Sequence, residues 1–116
     1  MIFTVVDTET TGLSLSKHEI IEVAFISYIV DAEGNEYVLN KLNQKIKPHA
    51  IHLASRKALE INGYNKEDWE DAVEFSAVLP EIEKAFAESD FLIGQNLIFD
   101  MRFLAKMCER NGTDEI

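Results

Sequence analysis

The segment that most constrains this chain is its first strand pattern. Ile2-Phe3-Thr4-Val5-Val6 is apolar at four of five positions, ends on Asp7, is followed two residues later by Glu9, and closes at Gly12-Leu13. In an extended strand, side chains at i and i+2 share a face. Asp7 and Glu9 therefore project together from the end of a strand whose other residues are apolar enough to be central. Two carboxylates side by side repel unless a cation lies between them. Hard oxygen ligands of that kind suit Mg²⁺ or Mn²⁺. Solvated loop entry is the competing reading of acid-x-acid, but it fits an edge strand better than a buried one.

Size and charge narrow the field. The 116 residues fit one domain, 1–116, with a modest core. No run approaches the roughly 18 consecutive apolar residues of a membrane helix, so no membrane partner is expected. A single cysteine, Cys108, excludes an internal disulfide and points to a reducing, cytoplasmic setting. Its place in an apolar helical pattern gives it a packing role. Net charge is −10, which opposes unaided attraction of nucleic acid. The charges are segregated, however. No acid occurs from Tyr37 to Leu59, where Lys41, Lys45, Lys47, Arg56 and Lys57 fall, whereas Glu60 to Asp90 carries ten acids. Such runs are ordinarily solvated faces, and charge alone does not decide the partner.

Taken in order, the chain reads β-β-β-α-α-β-α. After a polar loop at 14–18, the β-branched run from Glu19 to Asp31 predicts a second strand. Asp31-Ala32-Glu33-Gly34-Asn35 is a turn, and a third strand runs from Glu36 to about Lys47, making an antiparallel meander. Pro48 ends it. Leu53, Ala54, Ala58, Leu59 and Ile61 predict a helix over 52–62, stopped at Asn62-Gly63. Residues 64–74 are acidic and irregular, anchored by Trp69. Ser76 is the expected N-cap of a helix to about Ala87, with Val78, Leu79, Ile82, Ala85 and Phe86 on one face and Pro80 near its first turn. Phe91-Leu92-Ile93 predicts a short fourth strand. Phe99, Phe103, Leu104 and Met107 mark a last helix to Arg110. The order predicts an α/β domain with a mixed sheet.

A second acid stands where this last strand gives way to a helix. Asp100 falls in the first helical turn after Gly94-Gln95-Asn96-Leu97-Ile98-Phe99. Complementing the helix dipole is one sufficient reason for an acid there, at about 0.3–1 kcal/mol. The loop nevertheless leaves the carboxyl end of a strand, where open α/β sheets place their sites. If that strand runs parallel to the first, Asp100 approaches Asp7 and Glu9, and three acids share one crevice.

The two segments, Asp7-Thr8-Glu9-Thr10-Thr11-Gly12-Leu13 and Asn96-Leu97-Ile98-Phe99-Asp100-Met101-Arg102-Phe103-Leu104, resemble the first two motifs of the DEDD exonucleases. The nearest branch is the DnaQ-like one, which includes polymerase proofreading subunits and ribonuclease T. Ala58-Leu59-Glu60-Ile61-Asn62-Gly63 lies between the motifs and fits as well, so the likeness covers the whole chain. It implies a ribonuclease H-like mixed sheet and removal of nucleotides from single-stranded 3′ ends of DNA or RNA. It also implies two Mg²⁺ or Mn²⁺ ions, with a DNA polymerase as an expected partner. Position by position, Asp7 resembles the acid that touches both metals, Glu9 a ligand of the water-activating metal, and Asp100 the acid of the second metal. Thr10 stands where a backbone amide meets the terminal 3′-hydroxyl, and Leu13 where an apolar side chain packs on the last base. Asn96 and Phe99 complete the implied substrate contacts.

The family's third motif, a histidine or tyrosine base with an aspartate five residues later, has no counterpart before Ile116. His18, His49 and His52 all precede the second motif and none takes the base role by position. The resemblance therefore implies a C-terminally truncated, N-terminal part of the domain, weakly active or inactive by itself. The alternative is a non-catalytic module that binds nucleic acid or a polymerase. A bare strand at Phe91–Ile93 would then form a sheet edge, and a homodimer through that edge is expected. A haloacid-type phosphatase also starts with an acid after an apolar strand, but it needs aspartate at i+2, where this chain has Glu9.

Overall fold

The alternation of large apolar residues in the second strand builds the sheet. The computed structural model describes residues 1–112. Strands β1 (Ile2–Thr10), β2 (Ile20–Val30) and β3 (Glu36–Lys45) form the antiparallel meander that the sequence predicts. Helices α1 (Arg56–Asn62) and α2 (Phe75–Glu88) follow, then β4 (Phe91–Ile93) and α3 (Leu97–Arg110). β4 pairs with β1 in parallel, Phe3 opposite Phe91 and Val5 opposite Ile93, so the spatial order is β3-β2-β1-β4. β1 is central, as its apolar composition requires.

One face of the sheet is closed. Val6 of β1 and Val23 and Phe25 of β2 join Val78 and Ile82 of α2 with Phe103 and Leu104 of α3 in one core. Burying each such side chain contributes about 1.5–3 kcal/mol. The register puts Phe3, Val5, Asp7 and Glu9 on the opposite face, beside Tyr28, Ile26, Ala24 and Glu22 of β2. That face is open: Phe3 stacks on Tyr28 with ring centroids 5.3 Å apart, while Val5 and Ile26 each remain 38% exposed. β4 lies at the sheet edge, with Phe91 and Ile93 exposed.

Several element bounds differ from the sequence pattern for local reasons. The helix expected over 52–62 is split into a 3₁₀ turn, Ile51–Leu53, and α1. Ser55 between them is extended, and its hydroxyl accepts the Ala58 N–H at 3.3 Å, capping α1. Gly63 ends α1 at φ 68°, the left-handed stop that Asn62-Gly63 predicts. α2 begins two residues earlier than a Ser76 cap allows: Glu74 is the extended residue before it and Phe75, buried, is its first member. α3 begins at Leu97, two residues before Phe99, because the Asn96 carbonyl already accepts the Asp100 N–H at 3.2 Å.

β3 stops at Lys45, and a parallel bridge Ile46–Val73 follows. Lys47 N–H donates to the Val73 carbonyl at 2.8 Å, and Val73 N–H to that of Lys45 at 3.1 Å. This strap fixes the acidic stretch 64–74 to the sheet. Trp69 completes it, its indole N–H donating to the Ile21 carbonyl at 2.8 Å while the Lys45 ammonium lies 4.7 Å from its ring centre.

Candidate active site

The site grows from the carboxyl end of β1. Asp7 and Glu9 share the open face, as strand alternation requires, and the β1–β2 register sets Glu22 directly opposite Glu9. Glu22 in turn pairs with Lys45 at 3.6 Å. Asp100, from the first turn of α3, comes in from the other side and is 4% exposed. One of its carboxylate oxygens accepts the Thr8 hydroxyl at 2.5 Å. Thr8 sits between Asp7 and Glu9 on the core-facing side, so this bond ties α3 to the strand that carries the other two acids.

Glu9 and Asp100 both feel the charge of Asp7. Loss of solvation, then the charges of Asp7, Glu22 and Asp100, push the Glu9 carboxyl above its ordinary range. Burial pushes Asp100 up as well, with Asp7 adding to the rise and the Thr8 hydroxyl opposing it. No lysine, arginine or histidine among the described residues forms an ion pair with Asp7, Glu9 or Asp100. A set of hard oxygen donors, crowded and without a counter-charge, fits a divalent cation. With Asp100 engaged by Thr8, no three acidic, imidazole or thiol groups among the described residues are close enough to hold one ion together. The expected convergence is thus present in the electrostatics and not in a closed ligand shell.

The loop leaving β1 is held by its own backbone needs. A Cβ on Gly12 would lie 2.3 Å from the His18 ring, so only glycine lets the imidazole close over the chain here. The ring's Nδ1 accepts the Ser14 N–H at 2.9 Å, which makes His18 a loop anchor. The Arg110 guanidinium donates to the carbonyls of Leu15 and His18 at 2.8 and 2.9 Å, fastening the loop to the end of α3. Glu19, buried, accepts the N–H groups of His49 and Ala50 at 2.8 and 2.7 Å, and His49 meets Glu74. His52 lies exposed in the turn Ile51–Leu53.

α1 is brought to the same end of β1. Ser55 N–H donates to the Thr11 carbonyl at 2.7 Å, and the Asn62 amide to the Thr10 carbonyl at 2.7 Å. The Thr10 hydroxyl donates to the Gly12 carbonyl at 2.7 Å. Between these elements lies a cavity of about 340 Å³. β1 and its loop give it Glu9, Thr10 and Leu13, α1 gives Lys57 and Ile61, and α3 gives Phe99. A second cavity of about 210 Å³ shares Leu13 and Phe99 and adds Asn96 and Arg102. All four expected substrate-contact residues thus line one or both of two adjoining cavities. The sequence reading missed Glu22, Lys57 and Ile61. An acid inside the apolar run Ile20–Val30 was the available signal for Glu22; no local pattern tells where α1 packs.

A mixed sheet in the order 3-2-1-4, with acids at the end of its central strand and on the helix after its parallel neighbour, is a ribonuclease H-like α/β nuclease fold. The family model of the exonucleases, RNase_T, matches residues 4–116, and the chain belongs to that family, in its DnaQ-like DEDD branch. It is 36% identical over 102 residues to the PolC-type DNA polymerase III of Thermotoga maritima, a match spanning 88% of this chain and 7% of that protein. It is 26% identical over 117 residues to ribonuclease T of Shewanella frigidimarina, across 93% of this chain and 53% of that one. Escherichia coli exonuclease I in complex with a dT13 oligonucleotide superposes with a TM-score of 0.77 at 22% identity, covering 97% of this chain and 24% of its own. That last likeness is one of fold. The chain spans about 7% of the length of the PolC-type relatives and about half of ribonuclease T.

Proposed function

We propose that residues 1–116 are an exonuclease domain that removes nucleotides from the 3′ ends of single-stranded DNA or RNA. The observation that carries this reading is the crowding of Asp7, Glu9 and Asp100 at one strand end, where the charges of Asp7 and Asp100 both raise the Glu9 carboxyl. Asp7, Glu9 and Asp100 would hold divalent ions, Mg²⁺ or Mn²⁺, two in a complete site. A divalent ion bound there supplies Lewis-acid stabilisation of charge developing on phosphate oxygens. The chain's own residues position the strand. Leu13 and Phe99 offer apolar surface to the last base. Thr10, fixed through its carbonyl to Asn62 and through its hydroxyl to Gly12, presents its amide to the terminal 3′-hydroxyl. Asn96, at the start of α3, contacts the strand beside them.

The match to PolC-type polymerases supports a polymerase as partner and proofreading as the setting, in the cytoplasm. The exposed edge at Phe91–Ile93 supports a homodimer formed by strand pairing. A second reading, a non-catalytic module that binds nucleic acid or a polymerase, draws on the Asp100 carboxylate being engaged by Thr8.

A 5′-labelled single-stranded oligonucleotide with Mg²⁺ or Mn²⁺ separates the readings. Without the third-motif base, these residues by themselves should trim from the 3′ end only weakly, and Asp7→Ala should lower that activity about a thousandfold, equal to ~4 kcal/mol of transition-state stabilisation. Trimming unchanged in Asp7→Ala overturns the enzyme reading, and binding of the oligonucleotide with no trimming at all favours the non-catalytic module. Sedimentation at micromolar concentration tests the dimer, and a strictly monomeric species rejects it.

A further inference from the structure

A polyanion must approach an acidic chain through an acid cluster, so some cation has to meet it. Two do so by placement. Lys57 on α1 lines the 340 Å³ cavity together with Glu9, Leu13 and Phe99. Arg102, one turn into α3, lines the adjoining 210 Å³ cavity, which Leu13 and Phe99 also line. The two apolar side chains form the wall between the cavities, and Leu13 is 84% exposed on it. Neither cation is paired with an acid among the described residues, although Lys45, His49 and Lys106 are. Lys57 also belongs to the acid-free stretch Tyr37–Leu59, which the catalytic reading leaves without a role.

We propose that Lys57 and Arg102 bind backbone phosphates of the single-stranded substrate on the two sides of the Leu13–Phe99 wall. This rests on the exonuclease reading and adds the residues that hold the strand. An unpaired ammonium beside an apolar wall suits a phosphate next to a stacked base, and the planar guanidinium can take two phosphate oxygens at once. The pair gives a chain of net charge −10 a local positive footing, and it ties affinity to salt. The terminal base rests against Leu13 and Phe99, while the phosphates on its 5′ side meet the two cations.

Fluorescence anisotropy with a labelled single-stranded oligonucleotide, in Ca²⁺ and over a salt series, tests this on the whole chain without turnover. Lys57→Gln and Arg102→Gln should each weaken binding several-fold at low salt and each lower the slope of log K against log salt by about 0.7. Arg56→Gln removes the same charge from the residue beside Lys57, on a side chain that does not line the cavity, and should leave the slope unchanged. Lys57→Arg should restore binding. Circular dichroism of each variant reports whether the fold is kept. Equal slopes in Lys57→Gln, Arg102→Gln and the unaltered chain overturn the proposal, as does a slope that falls equally in Arg56→Gln or an unaltered chain that does not bind. Variant-dependent binding without any trimming leaves these contacts in place and favours the non-catalytic, nucleic-acid-binding reading over the exonuclease one. Trimming with unaltered binding in both variants rejects the contacts alone.

Discussion

The two faces of β1 solve different problems with alternate residues of the same nine. On the core side Thr4, Val6, Thr8 and Thr10 are all buried. Each hydroxyl there has a partner: Thr4 with Ser27 at 2.7 Å and Ser89 at 2.5 Å, Thr8 with Asp100, Thr10 with the Gly12 carbonyl. On the open side Phe3, Val5, Asp7 and Glu9 face outward, and their acids have no cation partner among the described residues. Buried polar groups that are satisfied cost little, whereas crowded carboxylates lower stability until a ligand arrives. Buried packing is therefore concentrated on one face and crowded acids on the other, and Thr8, on the core side, links the strand to Asp100.

The division can be broken most directly by removing bulk from each face. Phe103 is 1% exposed and belongs to the core. Phe103→Ala should cost about 3–5 kcal/mol in denaturant unfolding. Val5→Ala, on the open face beside Ile26, should cost under about 1 kcal/mol, because its methyls are already partly in water. Equal losses in the two variants would show that the open face carries as much of the stability as the core.

The same division explains what was legible in the sequence. The β-branched apolar runs Ile2–Val6 and Ile20–Val30 announce strands, and the acids Asp7 and Glu9 mark a candidate site, because both signals are local. The parallel pairing of Phe91–Ile93 with Phe3–Val5 was readable only as a condition, since three residues carry no register. Glu22 escaped because its closeness to Glu9 is set by the β1–β2 register, across twelve intervening residues of loop and strand. α1 reached the site through Ser55 and Asn62, whose hydrogen bonds to the carbonyls of Thr11 and Thr10 leave no trace in hydrophobic spacing. The Ile46–Val73 bridge was hidden for the same reason. The acid at 100 was visible and its bond to the Thr8 hydroxyl was not, because that bond depends on α3 packing against the core side of β1.

Thr8 is where the two faces can be uncoupled. Thr8→Val keeps the shape of the side chain and removes the donor to a buried carboxylate. The expected cost is about 1–3 kcal/mol, from an acceptor left without its hydrogen bond. The Asp100 carboxyl should also rise further, since the Thr8 hydroxyl opposes its upward shift. Denaturant unfolding at neutral pH measures the first effect and carboxyl NMR titration the second. A variant as stable as the parent, with Asp100 titrating unchanged, would mean that the strand and α3 are joined by packing alone.

The smallest effect is the most specific to the acids. Both Glu9 and Asp100 titrate above their ordinary values of 4.5 and 3.8 in the fold. A carboxyl raised on folding favours the folded state below its unfolded pKa, and that contribution is lost as pH rises through the folded value. Asp31 works in the opposite direction, held low by the N–H groups of Asn35 and Glu33, so a melting curve of the parent alone mixes the two signs. Comparison with Asp100→Asn isolates the site: the amide carries no charge, and its oxygen can still accept the Thr8 hydroxyl. The two proteins should melt together near pH 3, and by neutral pH the variant should melt roughly 2 °C higher, the shift that a fraction of a kcal/mol gives in a domain of this size. Mg²⁺ or Mn²⁺ should close the gap by stabilising the parent more than the variant. A gap that stays constant from pH 3 to neutrality would show that Asp100 titrates alike folded and unfolded, against the upward push of its burial and of Asp7.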